Sequence, residues 1–581
     1  MSAAARTLSK DWQIKGTDPN AAEFARSVRI SSLLSQILIN RGVSDPETAR
    51  NFLSPKLTEL IPPEKMPGIG PAVERIKQAI AENQKIAIYG DYDVDGITSV
   101  SILWQLFTLL DIDVEFYIPH RIDEGYGLNE DAITQLAQHG VNLIITVDCG
   151  ITAIASADLA AELGVDLIIT DHHKGKDTLP QAVAIVHPSL DDTYPNPDSA
   201  GAMVAFKLAW AVINEVNAGK KASGDSRQFL LNATTLAAMG TIADVVDLRG
   251  ENRILTSFGL KALADSKLLG IRALIESANL TGEKLDSYHI AFRLAPMLNA
   301  AGRMGHARLA VELLTSDSEM RCMQIAQYLK QQNQQRQQYQ RKIYKHAREM
   351  ITQGNLNHPD RRTIVLANED WHTGVIGIVA SRVVDDFCRP AILINSGNGD
   401  IAQGSARSIE GFNIHEAITA CSEHLESFGG HAMAAGIKIR KEKIADFTAA
   451  LEEYAQENLD QNLLTAKLDI DALCTVGDLS RSVVDELKLL EPFGQGNRKP
   501  LFAAKGVKWI SPPRRVGAKG DHLQIAIGDN TGSVRCIGFN MGKLEKKLLE
   551  TEYFNIAFEP DINTFNGNSS VQFVLTDIQF E

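Results

Sequence analysis

The stretch Ile86–Ser99 reads I-A-I-Y-G-D-Y-D-V-D-G-I-T-S. Its apolar opening, Ile86 to Tyr89, has the run length of a buried strand, and Gly90 and Gly96 allow sharp turns. Asp91, Asp93 and Asp95 stand at alternate positions just where that strand ends, and from Ile97 to Leu110 the apolar spacing is that of a helix. Three carboxylates gathered at one strand end repel one another unless a cation holds them, so a metal site is the first expectation. D-Y-D-V-D-G also matches the opening of an EF-hand calcium loop. The twelfth position of that loop, where a bidentate Glu belongs, is here Ile102, and a strand rather than a helix precedes it. The calcium loop is rejected. A solvated acidic turn is the plain alternative, and the downstream sequence argues against it.

Outward from this stretch the chain alternates. Apolar runs at Asp113–Ile118, Val141–Val147, Val165–Thr170 and Ala182–Val186 read as strands. Helical stretches at Ile97–Leu110, Asn129–Gln138 and Ala153–Leu163 separate them, and another at Ala72–Glu82 precedes the first strand. Such a βαβ series predicts an α/β fold with a parallel sheet covered on both faces. Two strands echo each other: V-N-L-I-I-T-V-D ends at Asp148 and V-D-L-I-I-T-D ends at Asp171. In open parallel sheets ligands sit beyond the carboxyl ends of the strands. There the chain delivers the three acids of the first turn, Asp148 in V-D-C-G, and Asp171-His172-His173. Carboxylates with imidazole suit Mn²⁺ or Mg²⁺, and Asp171 is one candidate to orient a ligating histidine. After a helical stretch at Ala200–Ile213, Asp244 follows a small-residue turn and is placed to close the site. Asp247 reads as an exposed cap or solvated acid.

Composition sets the outer bounds. A chain of 581 residues is too long for one core and predicts about three to five domains. Six scattered cysteines contain no Cys-x-x-Cys pair, which argues against thiolate zinc sites and a disulfide framework. The N-terminal M-S-A-A-A-R-T-L-S-K-D-W lacks an apolar signal core, and no apolar run is long enough for a bilayer. A soluble cytoplasmic protein is expected. A net charge of −14 does not advertise a nucleic-acid binder, so any such binding must use local basic surfaces. Two basic stretches lack acids altogether: the one between Glu319 and Glu349, and Arg498–Lys519.

D-Y-D-V-D-G, V-D-C-G, D-H-H and G-T-I-A-D-V-V, in that order, resemble the successive motifs of the DHH phosphoesterases. Further stretches narrow the resemblance to the RecJ family of single-strand-specific 5′→3′ exonucleases. They are P-H-R-I-D-E-G-Y-G-L (119–128), R-L-A-P-M-L-N-A-A-G-R-M-G (293–305), W-H-T-G-V-I-G-I-V-A-S-R (371–382), G-S-A-R-S (404–408) and F-G-G-H-A-M-A-A-G (428–436). Carried over residue by residue, the resemblance implies metal ligation by Asp93, Asp95, Asp148, His172 and Asp244. Asp91 stands in the same motifs as a further ligand or an outer support, and His173 as a phosphate contact. Asp148, His172 and His173 would be the catalytic residues. Some members of the superfamily carry a histidine four residues before Asp93, where this chain has Tyr89. The resemblance also implies two Mn²⁺ or Mg²⁺ ions sharing Asp148 and a water attacking phosphorus in line.

Beyond that part, Leu309–Ile351 reads as a long polar helix, basic on one side, and the resemblance makes it a connector between two lobes. A second α/β domain begins near Arg361. Its glycine-rich G-G-H-A-M-A-A-G is able to bring backbone N–H groups and His431 close to phosphates. Ser405 and Arg407, with Arg121, are candidates to grip a terminal 5′-phosphate, since the Arg fork matches phosphate oxygens. Tyr126 is a candidate to stack on a base, and Arg293 and Arg303 to contact the strand backbone. From about Leu464, short strand-like runs, among them Leu501–Ala504 and Gly506–Ile510, predict a small β-barrel. The basic run with Arg514, Arg515 and Lys519, plus Trp509 and Phe502, fits a track for single-stranded nucleic acid.

The expected division is a small helical lead-in with a turn-rich connector at 1–70, a DHH catalytic domain at 71–308, a connector helix at 309–355, a DHH-associated domain at 356–460 and an OB domain at 461–581. The expected activity is metal-dependent 5′→3′ hydrolysis of single-stranded DNA to 5′-mononucleotides by a monomer, in recombination and repair. The family's role implies a single-strand-binding protein and a helicase as partners. The family also implies a narrow cleft between the lobes and processivity from the barrel. The rivals are a small-nucleotide phosphodiesterase or oligoribonuclease of the same superfamily, and a non-catalytic replication scaffold on the same fold.

Overall fold

Strand residues that alternate between two buried faces need cover on both sides, and the sheet built around Ile86–Gly90 has it. Its five strands are all parallel, in the order Val114–Tyr117, Ile86–Gly90, Leu143–Val147, Asp166–Thr170, Ala184–Val186. Ile86, Ile88, Leu143, Ile145, Val147 and Ile168 join one apolar core, together with the helices Val94–Leu109, Gly201–Val216 and Gly224–Ala243. The alternate residues Ala87, Tyr89, Ile144, Leu167 and Ile169 join a second core under the helices Glu130–Gln138 and Ile154–Glu162. The period of two along each strand thus serves both faces. The expected strands and helices of this part are present within a few residues at each end.

The computed structural model describes residues 10–580 apart from 121–123, 125, 126, 304, 305, 398 and 566, with the side chains of 303 and 565 also outside the description. The chain forms two compact units. One comprises Arg41–Asn333 with Leu487–Lys499; the other comprises the chain up to Asn40, Gln334–Glu486, and Pro500 onward. No helix among the described residues is long and apolar enough to cross a membrane.

The second unit holds a five-stranded sheet in the order Ser427–His431, Ala434–Arg440, Ile401–Arg407, Ala391–Asn395, Ile364–Asn368, and a barrel. In the barrel, Phe502–Val516 pairs on one side with His522–Gly528 and on the other with Phe554–Phe565. Ser533–Gly538 and Asn568–Phe580 complete the closure. Closure removes the sheet edges.

Four expectations need correction. The expected strands 501–504 and 506–510 are one strand, because the register shifts between Ala504 and Val507 and again across Ser511 and Arg514 instead of the strand ending there. Phe502 is fully buried against Phe558 and belongs to the barrel core, not to a stacking surface. The long helix is two, Ala307–Thr315 and Glu319–Gln353. Ser316 and Ser318 break it: the Ser318 hydroxyl accepts the Arg321 N–H, as serines do at helix starts. Finally, the lead-in is not all helical. Asp11–Ile14 is a strand pairing in parallel with Lys467–Ile470, and Trp12 Nε1 donates to Asp577 at 2.7 Å.

The segment Leu487–Lys499, expected inside the OB domain, belongs to the same unit as the parallel sheet. Arg253, 2% exposed, explains how. Its guanidinium donates to the carbonyls of Phe52, Leu489, Leu490 and Glu491 at 2.8–3.0 Å, and it lies 4.0 Å over the Phe52 ring. Burial, and then Arg41, draw its pKa down to about 10, which leaves it charged at neutral pH. Asn497, fully buried, donates to the carbonyls of Leu490 and Pro492 and accepts from Arg41. Arg253→Leu removes the donors of four backbone carbonyls. A destabilisation on the order of 3 kcal/mol is expected, read as an earlier midpoint in urea unfolding. An unmoved midpoint would contradict this role.

Candidate metal centre

The register of the parallel sheet sets the site. Gly90, Val147 and Thr170 are partners across neighbouring strands. Asp91, Asp148 and Asp171, which follow them, therefore leave the sheet side by side at strand spacings of about 4.8 Å. Asp148 turns away with φ 61°, in the left-handed region, its N–H held by the Thr170 carbonyl at 3.0 Å. Asp93 caps the helix Val94–Leu109, its Oδ1 accepting from the N–H groups of Asp95 and Gly96. Asp95 lies in the first turn of that helix, fully buried. Its carboxylate accepts from Gly201 N at 2.6 Å and Ala202 N at 2.9 Å, at the start of the helix Gly201–Val216. Asp244 is the residue at which the helix Gly224–Ala243 ends.

These elements converge on His172. Its Nε2 is buried and makes no hydrogen bond among the described residues. It faces three carboxylates instead: Asp148 at 3.1 Å, Asp244 at 3.6 Å and Asp95 at 3.7 Å. Three overlapping groups of donors each fit around one ion: Asp95, His172 and Asp244; Asp148, His172 and His173; Asp91, Asp93 and Asp148. Asp148 belongs to the group with Asp91 and Asp93 and also lies 3.1 Å from His172 Nε2 of the first group, the position a bridging carboxylate needs.

Electrostatics gives the physical case for cations. Burial, then the charges of Asp244 and Asp93, push the Asp95 carboxyl well above its ordinary range. Burial, then Asp95, Asp93 and Asp91, do the same to Asp148. Burial followed by Asp93 raises Asp244 to about 7. The two histidines are driven apart. Burial, then the charge of His173, lowers His172 to about 4, so it is a neutral imidazole with a lone pair to give. Burial works against charge on His173 too, but Asp171, accepting from Nδ1 at 2.8 Å, outweighs it and raises His173 to about 9. Asp171 itself is burdened by burial but held at about 2 by His173 and by the N–H groups of Ile151 and His173. The donor set is carboxylate oxygen with one neutral imidazole, which fits Mn²⁺ or Mg²⁺. Cys149 is no competitor: burial pushes its thiol up, and its Sγ faces the Tyr89 carbonyl.

Asp91, Asp93, Asp95, Asp148, His172, His173 and Asp244 are thus brought to one place. Asp171 orients the ring of His173 rather than that of His172. Tyr89 does not substitute for a histidine ligand; its hydroxyl donates to the Gly127 carbonyl and accepts from Asn129. Arg121 and Tyr126 lie outside the described residues, as does the side chain of Arg303. Arg293 is exposed and donates to the Ala278 carbonyl at 2.7 Å.

In the other unit, Arg407 donates to the Ser405 hydroxyl at 3.1 Å, and Arg407, Ala434 and His431 lie in one cross-strand row. Ser405, Arg407 and His431 therefore share a sheet face. Gly377 leaves the room for this pair, since a Cβ there would lie 2.9 Å from the Ser405 hydroxyl. Arg514, Arg515 and Lys519 are exposed on the barrel. Arg498 and Lys499, at the start of the same basic run, belong to the catalytic sheet's unit.

Sequence reasoning missed Gly201 and Gly240. A Cβ at Gly201 would lie 2.8 Å from Asp148 Oδ1, and one at Gly240 would lie 2.5 Å from Asp95 Oδ1. Both helices approach the carboxylates too closely for any side chain. Only contacts distant in sequence reveal that.

Asp244 titrates near 7 in the folded protein and near its ordinary 3.8 when unfolded. In the metal-free protein its contribution to stability is therefore complete below the ordinary value and lost as pH rises through about 7. A cation takes the proton's place. Saturating Mn²⁺ is expected to raise the unfolding temperature more at about pH 8 than at about pH 6; equal gains at both would contradict the assignment. Gly201→Ala is expected to weaken Mn²⁺ binding about tenfold, measured by calorimetric titration.

The DHH family N-terminal domain matches residues 85–241, the DHHA1 domain residues 360–457 and the RecJ OB domain residues 470–577. The single-stranded-DNA-specific exonuclease RecJ of Bacillus subtilis is 38% identical over 97% of this chain and 70% of its own length. The Escherichia coli protein of the same name is 32% identical over 94% and 95%. The crystal structure of RecJ from Thermus thermophilus in complex with Mn²⁺ superposes with a TM-score of 0.84 at 30% identity, covering 98% of this chain and 80% of that one. The complex of that protein with Mg²⁺ gives 0.78 at 28%, covering 98% and 78%. The sheet-edge carboxylates, the three domain matches and this likeness over nearly the whole chain place it in the RecJ family of the DHH phosphoesterases.

Proposed function

We propose that this chain is a metal-dependent exonuclease that degrades single-stranded DNA from its 5′ end to 5′-mononucleotides, in recombination and repair. The observation that carries the reading is the convergence of Asp95, Asp148, Asp244 and the neutral His172 at the edge of the parallel sheet, with Asp148 common to two donor groups. Family membership supports the substrate, since the relatives named above are single-stranded-DNA-specific.

Asp95, His172 and Asp244 would hold one cation and Asp91 and Asp93 a second, with Asp148 shared. Bound there, the pair supplies positive charge against the phosphoryl oxygens and lowers the pKa of an attacking water. The chain's own groups do the rest. Asp171 keeps His173 protonated at neutral pH, so this imidazolium can donate a charged hydrogen bond to a phosphate oxygen. The helix start that grips Asp95 keeps this carboxylate from moving as charge shifts during the reaction. In the same reading Ser405, Arg407 and His431 contact phosphate and Arg514, Arg515 and Lys519 contact the strand. Arg121, Tyr126, Arg293 and Arg303 complete the substrate contacts. Recruitment by a single-strand-binding protein and a helicase belongs to this reading on the strength of the family's role.

The test is a product time course on 5′-phosphorylated, 3′-labelled single-stranded DNA with Mn²⁺, beside its blunt duplex. A descending ladder from the single strand alone is expected. Prompt release of labelled 3′ mononucleotide would reverse the polarity, and turnover of dinucleotides alone would favour a small-nucleotide phosphodiesterase. Asp93→Ala and His172→Ala are each expected to lower the rate by roughly a thousandfold with an unchanged circular-dichroism spectrum. Asp171→Asn removes the group that raises His173, so the alkaline limb of the pH–rate profile, set by loss of the His173 proton, is expected to move down from near 9. An unmoved limb would take His173 out of the mechanism.

A further inference from the structure

A cavity of about 610 Å³ opens beside the metal centre, a size that holds a nucleotide. His172, His173 and Lys174 line it together with Asp247 and Gln495. Gln495 comes from the Leu487–Lys499 excursion, which contains none of the motifs that define the site.

The backbone on which Gln495 stands is fixed at every turn. Leu248 N donates to the Gln495 carbonyl at 2.9 Å, and Arg249 donates to the Gly496 carbonyl at 2.9 Å. Gly496 has φ 66°, and a Cβ there would lie 2.2 Å from Asp247 Oδ1, so only glycine lets the segment sit this close to the acid. On the cavity's other lining residues, the fully buried Asn252 donates to the carbonyls of Asp247 and Asp198 at 2.9 and 2.8 Å. Arg253 and Asn497 anchor the same excursion from behind. Its holding is thus done by other residues. The Gln495 side chain is exposed and makes no hydrogen bond or ion pair among the described residues. A clamped backbone presenting an uncommitted carboxamide to a cavity is the arrangement of a ligand contact.

We propose that Gln495 is a positioning residue for substrate: its carboxamide hydrogen-bonds the nucleotide beside the scissile phosphate, in the cavity it shares with His173 and Lys174. This rests on the nuclease reading above. A carboxamide both donates and accepts, which suits the edge of a base or a sugar oxygen, while the two cationic side chains suit the phosphate. The ligand class is therefore a nucleoside 5′-phosphate, either within the strand or as released product.

The test compares the full chain with Gln495→Ala and Gln495→Glu. Three quantities are read: kcat and KM on a 5′-phosphorylated single-stranded oligonucleotide with Mn²⁺, inhibition by thymidine 5′-monophosphate, and Mn²⁺ affinity by titration. Gln495→Ala is expected to lower kcat about tenfold, with Mn²⁺ affinity unchanged within about twofold. Gln495→Glu is expected to lower it further, since it sets a carboxylate against phosphate. Weaker inhibition by the monophosphate in the variants assigns the contact to the released nucleotide. Unchanged inhibition with lowered kcat assigns it to the nucleotide still in the strand. Unchanged kcat and inhibition overturn the proposal, and so does a loss of rate that Mn²⁺ affinity matches in size. A wild-type chain inert on single-stranded DNA overturns the nuclease reading itself.

Discussion

Mutual repulsion among buried carboxylates is the constraint from which the catalytic unit follows. Asp91, Asp95 and Asp148 are all less than 5% exposed, and the charges that press on Asp148 are those of Asp95, Asp93 and Asp91. A fold that gathers such groups must supply compensation. Here it comes from helix starts, which give Asp95 and Asp93 backbone N–H donors, and from carboxyls that keep protons until a cation arrives. The small residues around the cluster follow from the same demand. The helix start that grips Asp95 comes this near only because Gly201 has no side chain, and Gly240 likewise lets a second helix pack directly against Asp95.

The two adjacent histidines show how little distance is needed to separate roles. Both follow the same strand, and their rings lie 4.4 Å apart. One faces carboxylates it can serve only as a neutral donor; the other is tied to Asp171 and keeps its proton. Burial alone would make both neutral. The difference lies first in the hydrogen bond that His173 donates to Asp171, and then in the charges of Asp171, Asp244 and Asp95.

Much of this was legible in the sequence, and the reason is locality. The catalytic strands were readable because each is an apolar run bounded by turns, and the acids because they fall at strand ends. Asp244 was found from its small-residue turn. What escaped depends on contacts distant in sequence: Gly201 against Asp148, Arg253 under residues 489–491, Gln495 beside Asp247. Phe502 was misread because an aromatic residue in a short strand looks the same whether it faces solvent or core. The strand around Gly506 was cut in two because a glycine between apolar runs reads as a turn, yet its φ of 61° marks an irregularity within one strand. The break at Ser316 to Ser318 was missed because the apolar spacing resumes after it.

The parallel pairing of Asp11–Ile14 with Lys467–Ile470 has a consequence for how the protein is made. The strand leaves the ribosome before its partner, which follows some 450 residues later. At about 5–20 residues per second, the wait is roughly 20 to 90 seconds. During synthesis the early strand is an unpaired edge with Trp12 exposed to any other chain, and the catalytic sheet has time to form completely before it is used. Its docking is thus among the late events of biogenesis. A nascent chain halted before residue 467 would carry a completed sheet and an unpaired, adhesive strand at Asp11–Ile14.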